Sequence, residues 1–230
     1  MLHTMWSPKA GVGLSVTAAA TAAVFAKQVG SAVLVDLCGD QPPLLGMADP
    51  NGPGVFDWLS SDGASAESLG QLLVEGPSGV DLLPMGEAAM WLPGRVDDLV
   101  VALEDLRGEV VIDAGSLGCR GFEPMGSDVR SRITLVESLQ SAGRSIVVTS
   151  SCYLALRRAI RASQPADGLV VVSDPGRALN GRDIADLIGV PLVAQIDRDP
   201  AVARSVDAGL FLRRPSRGLA AALNGMAVQR

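Results

Sequence analysis

A chain of 230 residues is long enough for one α/β domain with a full core, and 48% apolar with 19% charged residues excludes a disordered chain. The net charge of −6 is uneven: residues 1–115 carry fifteen acids and four bases, residues 116–230 ten acids and fifteen bases, so only the second half invites an anionic partner. Three scattered cysteines (Cys38, Cys119, Cys152), no CxxC pair and a single histidine, His3, argue against zinc sites of the Cys/His kind and fit a reduced, cytoplasmic setting, while no run of 18 apolar residues offers a membrane span.

In chain order, short apolar runs alternate with helical patterns. LHTMWS (2–7) is a plausible first strand, and an Ala-rich helix is expected over 15–28, stopped at Gly30. AVLVDL (32–37) reads as a buried strand. Residues 39–65, rich in Gly, Pro, Asp and Ser, form an irregular stretch longer than a usual connection. A helix over 66–75 precedes a strand in GVDLLPMG (79–86). A helix over 95–107 leads into EVVIDAG (109–115). Helices over 129–142, 151–163, 181–188, 200–208 and near 216–228 alternate with strands in RSIVVTS (144–150), GLVVVSD (168–174) and VPLVAQID (190–197). Continuous apolar strands suit a sheet covered on both faces. The alternation predicts a single doubly wound α/β domain over 1–230 with a mostly parallel sheet.

SPKAGVGLSV (7–16) falls between the first strand and the first helix. Gly11 and Gly13 permit a tight turn whose backbone N–H groups face an anion, and the helix N-terminus adds partial positive charge. Ser15 stands where a phosphate-loop hydroxyl would hold magnesium. On this segment alone, a plain strand–helix turn is an equal reading. Asp113 in VVIDAGSLG (110–118), expected at the strand's C-terminal end, is placed either for a magnesium-bound water or as a turn cap.

The loop resembles the deviant Walker motif KGGVGKTT of the MinD/ParA family. Lys9 matches the signature lysine that crosses to a partner's phosphates. Ala10 stands for a glycine, Gly11, Val12 and Gly13 match, Leu14 replaces the phosphate-loop lysine, and Ser15 and Val16 follow at the two threonines. VLVDLCGDQPP (33–43) is similar to the family's second strand and switch I: Asp36 fits the first acid, Cys38 stands at the water-orienting second, and Asp40 is a candidate catalytic substitute or a turn-forming residue. VVIDAGSLG is similar to Walker B and switch II. GVDLLPMG resembles the strand ending in a PxG turn, and residues 187–212 resemble the C-terminal stretch. Ser173 and Asp174 replace the asparagine often found near adenine. The likeness is weakest over 116–143.

The resemblance implies a nucleotide site of residues 9–16 with Asp36 and Asp113, and ATP with Mg2+, the ion held by Ser15 and, through water, Asp113. It also implies a homodimer, or a heterodimer with an intact paralogue. The expected function is a degenerate positioning protein for a division, segregation, pilus or secretion assembly, with weak or no hydrolysis. A scaffold that has lost nucleotide and a slow ATPase are the alternatives, and the eroded motifs are similar to those of the CpaE/TadZ group. Losing the lysine contact costs about 1.5–3 kcal/mol.

Arg157, Arg158 and Arg161 share one helix, and Arg213, Arg214 and Arg217 cluster near the C-terminus. They are candidates for non-specific DNA contact or plain solvated faces, and with no aromatic residue interleaved among them base stacking is not expected. The tail 216–230 lacks the lysines and aromatic residues of a membrane anchor. Trp58, Leu59 and Trp91 read as core or partner-contact residues.

Overall fold

The computed structural model describes residues 1–117, 129–162, 164–213 and 216–226. Its eight strands are β1 (Leu2–Ser7), β2 (Ala32–Asp36), β3 (Val74–Glu75), β4 (Val80–Leu83), β5 (Glu109–Ser116), β6 (Arg144–Ser150), β7 (Gly168–Ser173) and β8 (Leu192–Asp197). They form one sheet in the order β3-β4-β2-β5-β1-β6-β7-β8. Every pairing is parallel except β3 with β4.

Alternation along the strands divides the core in two, because successive side chains leave opposite faces of a sheet. Val33, Val35, Val110, Ile112 and Val171 pack on one face with Phe56 of α3 (Val55–Ser60), Leu99 of α5 (Val96–Glu104), Leu135 of α6 (Val129–Ala142), Leu156 of α7 (Tyr153–Arg161) and Ile184 of α8 (Gly181–Ile188). Leu34, Val111, Ile146 and Val170 pack on the other with α1 (Leu14–Val29) and Leu219 of α10 (Arg217–Leu223). Small alanines let α1 lie close against the sheet, and Gly30 ends it at φ 98°, its N–H returning to Ala26 O. Trp58 and Trp91 are core residues; the Arg95 guanidinium covers Trp58 at 4.1 Å from the ring centre.

The helix expected over 66–75 is shorter. Gly70, a poor helix former, closes α4 (Ala66–Gly70), and Val74–Glu75 turns back as the antiparallel edge strand β3. The irregular 39–65 stretch contains α2 (Gln41–Leu44), with a proline in its first turn, and α3, which starts at an extended Gly54 whose N–H donates to Asp57. Of the tail, the residues up to Met226 form α10 and a 3-10 turn (Asn224–Met226); residues 227–230 lie outside the described set, as do Cys119 and Arg214.

β1 lies between β5 and β6, so the chain leaves the central strand where the sheet's winding reverses. Crevices of open α/β sheets form at the carboxyl end of such strands. The loop after β1 opens there.

Candidate functional site

Ser7 ends β1 and sets the loop: its Oγ donates to Lys9 O at 2.8 Å and accepts from Lys9 N at 3.1 Å. Gly11 and Gly13 both adopt positive φ, 76° and 95°, the left-handed backbone that glycine takes without strain. Gly13 is the N-cap of α1 and carries no side chain to close it, and the first turn holds no acid. The opening N–H groups of a sixteen-residue helix therefore face the cavity beside the loop, about 250 Å3 in volume.

Within the loop, Leu14 and Lys9 behave differently from a phosphate-gripping pair. Leu14 is only 7% exposed and joins the apolar core of the α1 face, while one edge lines the cavity. Lys9 is half-buried and its Nζ donates to Ala10 O at 3.0 Å. Val12 is buried, Ala10 and Gly11 border the cavity, and Ser15 and Val16 line it from the first turn of α1.

Asp36 and Asp113 are register partners on β2 and β5, and both have no exposed surface. Asp36 accepts from the N–H groups of Cys38 (2.8 Å), Gly39 (2.8 Å) and Gln41 (2.9 Å), so its carboxylate folds the turn that leads into α2. Asp113 accepts from Gln41 Nε2 at 2.7 Å, from the Gly115 N–H at 3.2 Å and from the Ser15 hydroxyl. Burial, then the charge of Asp36, pushes the Asp113 carboxyl up to about 6; burial also raises Asp36. Asp113 is not at the strand's end, since β5 continues to Ser116.

Cys38 sits above this pair. Its Sγ is 3.7 Å from Asp113 O and 3.5 Å from Arg132 Nη2, which also donates to Leu37 O at 2.9 Å. Burial and the neighbouring Asp113 push its thiol well above the ordinary range. A Cβ on Gly115 would stand 2.4 Å from that sulfur, so the glycine makes room for it. Asp40 caps the start of α2 by position but not by a side-chain bond, and borders the cavity from its exposed side.

A second cavity of about 510 Å3 lies on the other side of the α1 start. Gly13 and Val16 line both; Val172, Ile196, Pro200 and Leu219 supply an apolar wall, and Asp197, Asp199 and Asp207 acidic groups. Next to it, Asp174 is held by Arg198 (Nε to Oδ1, 2.5 Å) and by the Ser151 hydroxyl on its N–H, while Ser173 Oγ is buried without a partner among the described residues.

The arginine clusters lie elsewhere. Arg157, Arg158 and Arg161 occupy the outward side of α7, and here an aromatic residue does interleave: exposed Tyr153 lies 5.8 Å from the Arg157 guanidinium, next to exposed Leu154. Tyr153 and Arg157 are one helical turn apart and therefore neighbours on the α7 surface, so the cluster does carry an aromatic residue. Arg213 and Arg217 are described and exposed.

Gln41 and Arg132 were not singled out in the sequence. A glutamine before two prolines has the look of a loop residue, and Arg132 lies where the motif likeness is weakest. No helix among the described residues is long and apolar enough to cross a membrane.

No family model matches the sequence, and no curated protein matches it either. Solved structures do. A ParA family ATPase from Chlorobium tepidum TLS is 19% identical with a TM-score of 0.75, covering 100% of this chain and 99% of its own. The MinD cell division protein of Aquifex aeolicus is 18% identical at 0.72, covering 100% and 97%. The septum site-determining protein MinD of Pyrococcus horikoshii OT3, complexed with Mg-ADP, is 22% identical at 0.66, covering 98% and 93%. The likeness runs the length of both partners in each case, and this chain has the fold of the MinD and ParA ATPases.

Proposed function

We propose that the chain binds a nucleoside polyphosphate, ATP by analogy with its structural neighbours, holds it with little or no hydrolysis, and works as a positioning protein of the MinD/ParA kind by dimerising and recruiting a partner. The observation that carries this reading is the uncapped N-terminus of α1 between two cavities that share Gly13 and Val16. A phosphate chain fits the smaller, where backbone N–H groups supply the charge complement. A flat base fits the larger, apolar one. Magnesium also fits: the Ser15 hydroxyl and the Asp113 carboxylate stand side by side, one to ligate the ion and the other to hold its water.

Hydrolysis is the weaker half of the inheritance. Leu14 brings no charge to the phosphates, and Cys38 in place of an acid cannot orient water as a carboxylate does. Among the described residues, Asp40 is the carboxylate at the cavity's rim for a slow ATPase.

One pair of observations favours a second reading, a scaffold that has abandoned nucleotide. Leu14 serves the core, and Lys9 satisfies itself on Ala10 O. Calorimetry with ATP and magnesium, joined to sedimentation with and without nucleotide, separates the two. Heat of binding and a nucleotide-dependent dimer are expected; no heat at millimolar ATP together with an unchanging dimer leaves the scaffold. Phosphate release compared with D113A tests turnover. Division, segregation, pilus and secretion assemblies all remain within this reading, with an identical copy or an intact paralogue as the dimer partner.

A further inference from the structure

Two helices on the flank of the sheet carry outer faces of opposite charge. α5 and α7 pack their inner sides on the same face of the sheet, through Leu99 and Leu156. Outside, Asp97, Val101 and Glu104 of α5 follow at i, i+4 and i+7 as one exposed stripe, with exposed Asp105 at the helix end. α5 holds no base. Leu154, Arg157 and Arg161 form the corresponding stripe on α7, flanked by Tyr153 and Ile160, and α7 holds no acid.

Both faces lack partners within the fold. Val101, Tyr153, Leu154 and Ile160 are each more than half exposed, so apolar surface sits among the charges. Glu104 and Asp105 stand in the last turn of α5, where the helix dipole disfavours anions, and neither has an ion pair among the described residues. Arg157 and Arg161 have none there either; the Arg157 guanidinium leans on the Tyr153 ring at 5.8 Å.

We propose that a second copy of this chain covers both faces, the acidic face of α5 in one copy lying on the arginine face of α7 in the other. The two helices follow β4 and β6, run the same way along one face of a parallel sheet and are nine residues long. A copy turned by half a revolution about an axis parallel to them therefore sets its α7 over α5 and its α5 over α7 together. The Glu104 end of one helix then comes level with the Arg161 end of the other. α6, between them, adds an exposed polar face in which Arg130 and Glu137 balance. One helix pair alone covers less than the about 800 Å2 per partner of a stable interface, and the doubled contact approaches that area. Charge sets the register, and the apolar residues supply the burial. Lipid or nucleic acid would answer the arginine face and leave the acidic one uncovered, whereas a second copy answers both. The contact lies on the helix layer rather than at the carboxyl ends of the strands, where the phosphate loop opens, and does not rest on nucleotide binding.

Sedimentation equilibrium of the full chain without nucleotide tests it. A reversible dimer is expected at low salt, weakening toward roughly 1 M salt, where charges are screened beyond about 3 Å. R157E/R161E and E104K/D105K should each weaken self-association at least about 100-fold, since like charges then meet at both contacts. Mixing the two variants should restore a dimer with one chain of each, because every contact is again of opposite sign. E104K/D105K places cations at a helix C-terminus, which favours the helix, so this variant folds, and urea midpoints check both. Any dimer that ATP induces in R157E/R161E belongs to the phosphate-loop end, so the two associations are read apart. A parent chain that stays monomeric at low salt, a dimer that neither variant disturbs, or two variants that fail to pair overturns the proposal. So does a monomer that binds anionic vesicles or a DNA oligonucleotide through the α7 arginines alone.

Discussion

The Gln41 side-chain amide meets the Asp113 carboxylate at 2.7 Å, with neither residue exposed to solvent. The same Gln41 Nε2 lies 3.2 Å from Ser15 O, and its backbone N–H binds Asp36. One glutamine thus ties the first turn of α1, the turn after β2 and the middle of β5. Replacing it by alanine removes the amide from a buried carboxylate, at a cost of about 1–3 kcal/mol. Urea denaturation should show a lower midpoint with an unchanged slope; an unaltered midpoint means that water restores the contact.

Asp113 predicts a pH dependence of definite sign. Its carboxyl, held up at about 6 in the folded chain against an ordinary 3.8, binds a proton more tightly folded than unfolded. Its contribution is therefore most favourable below pH about 4 and is lost as pH rises through 6, by about 3 kcal/mol in all. Asp36 shifts in the same direction. D113N cannot lose that proton, so its stability relative to the parent chain should climb between pH 4 and 7 and level off above. Urea midpoints across that range check it, and a difference that stays flat with pH counts against the raised value.

Restoring the missing lysine tests the site directly. L14K should tighten ATP–magnesium binding about 10- to 150-fold, the equivalent of a charge-assisted contact. Calorimetry on both proteins decides it. Equal affinity would mean that phosphate does not lie over the start of α1.

The two cysteines with described environments should differ in reactivity. Cys38 is pushed up by burial and by Asp113, whereas the backbone N–H of Ala155 at the start of α7 pulls Cys152 down. Thiolate is the nucleophile, so iodoacetamide near neutral pH should label Cys152 well before Cys38. Peptide mapping at short times reads the order, and equal labelling contradicts it.

The sheet was legible because its strands are continuous apolar runs, and each of the seven expected from sequence is present. β3 was hidden because two residues carry no periodicity; pairing with β4 alone makes them a strand. The site was half legible. Gly11, Gly13, Ser15, Asp36 and Asp113 stand out by type and spacing, and all lie at one end of the sheet. Gln41 was invisible because its role depends on two carboxylates from different strands. Arg132 was invisible because only the folding of α6 brings it to Cys38. That Leu14 replaces the phosphate-loop lysine was legible in the motif, but which part of the core its side chain joins was not.

That packing makes the substitution hard to undo. A leucine 7% exposed contributes about 1–3 kcal/mol through its burial, and a lysine in its place keeps part of that only by laying its stem along the same surface. The route back to a tight phosphate grip thus begins with a less stable protein, and bound ligand compensates only after affinity has returned. A change at one position has become a ratchet: the core now holds the loop to its altered chemistry.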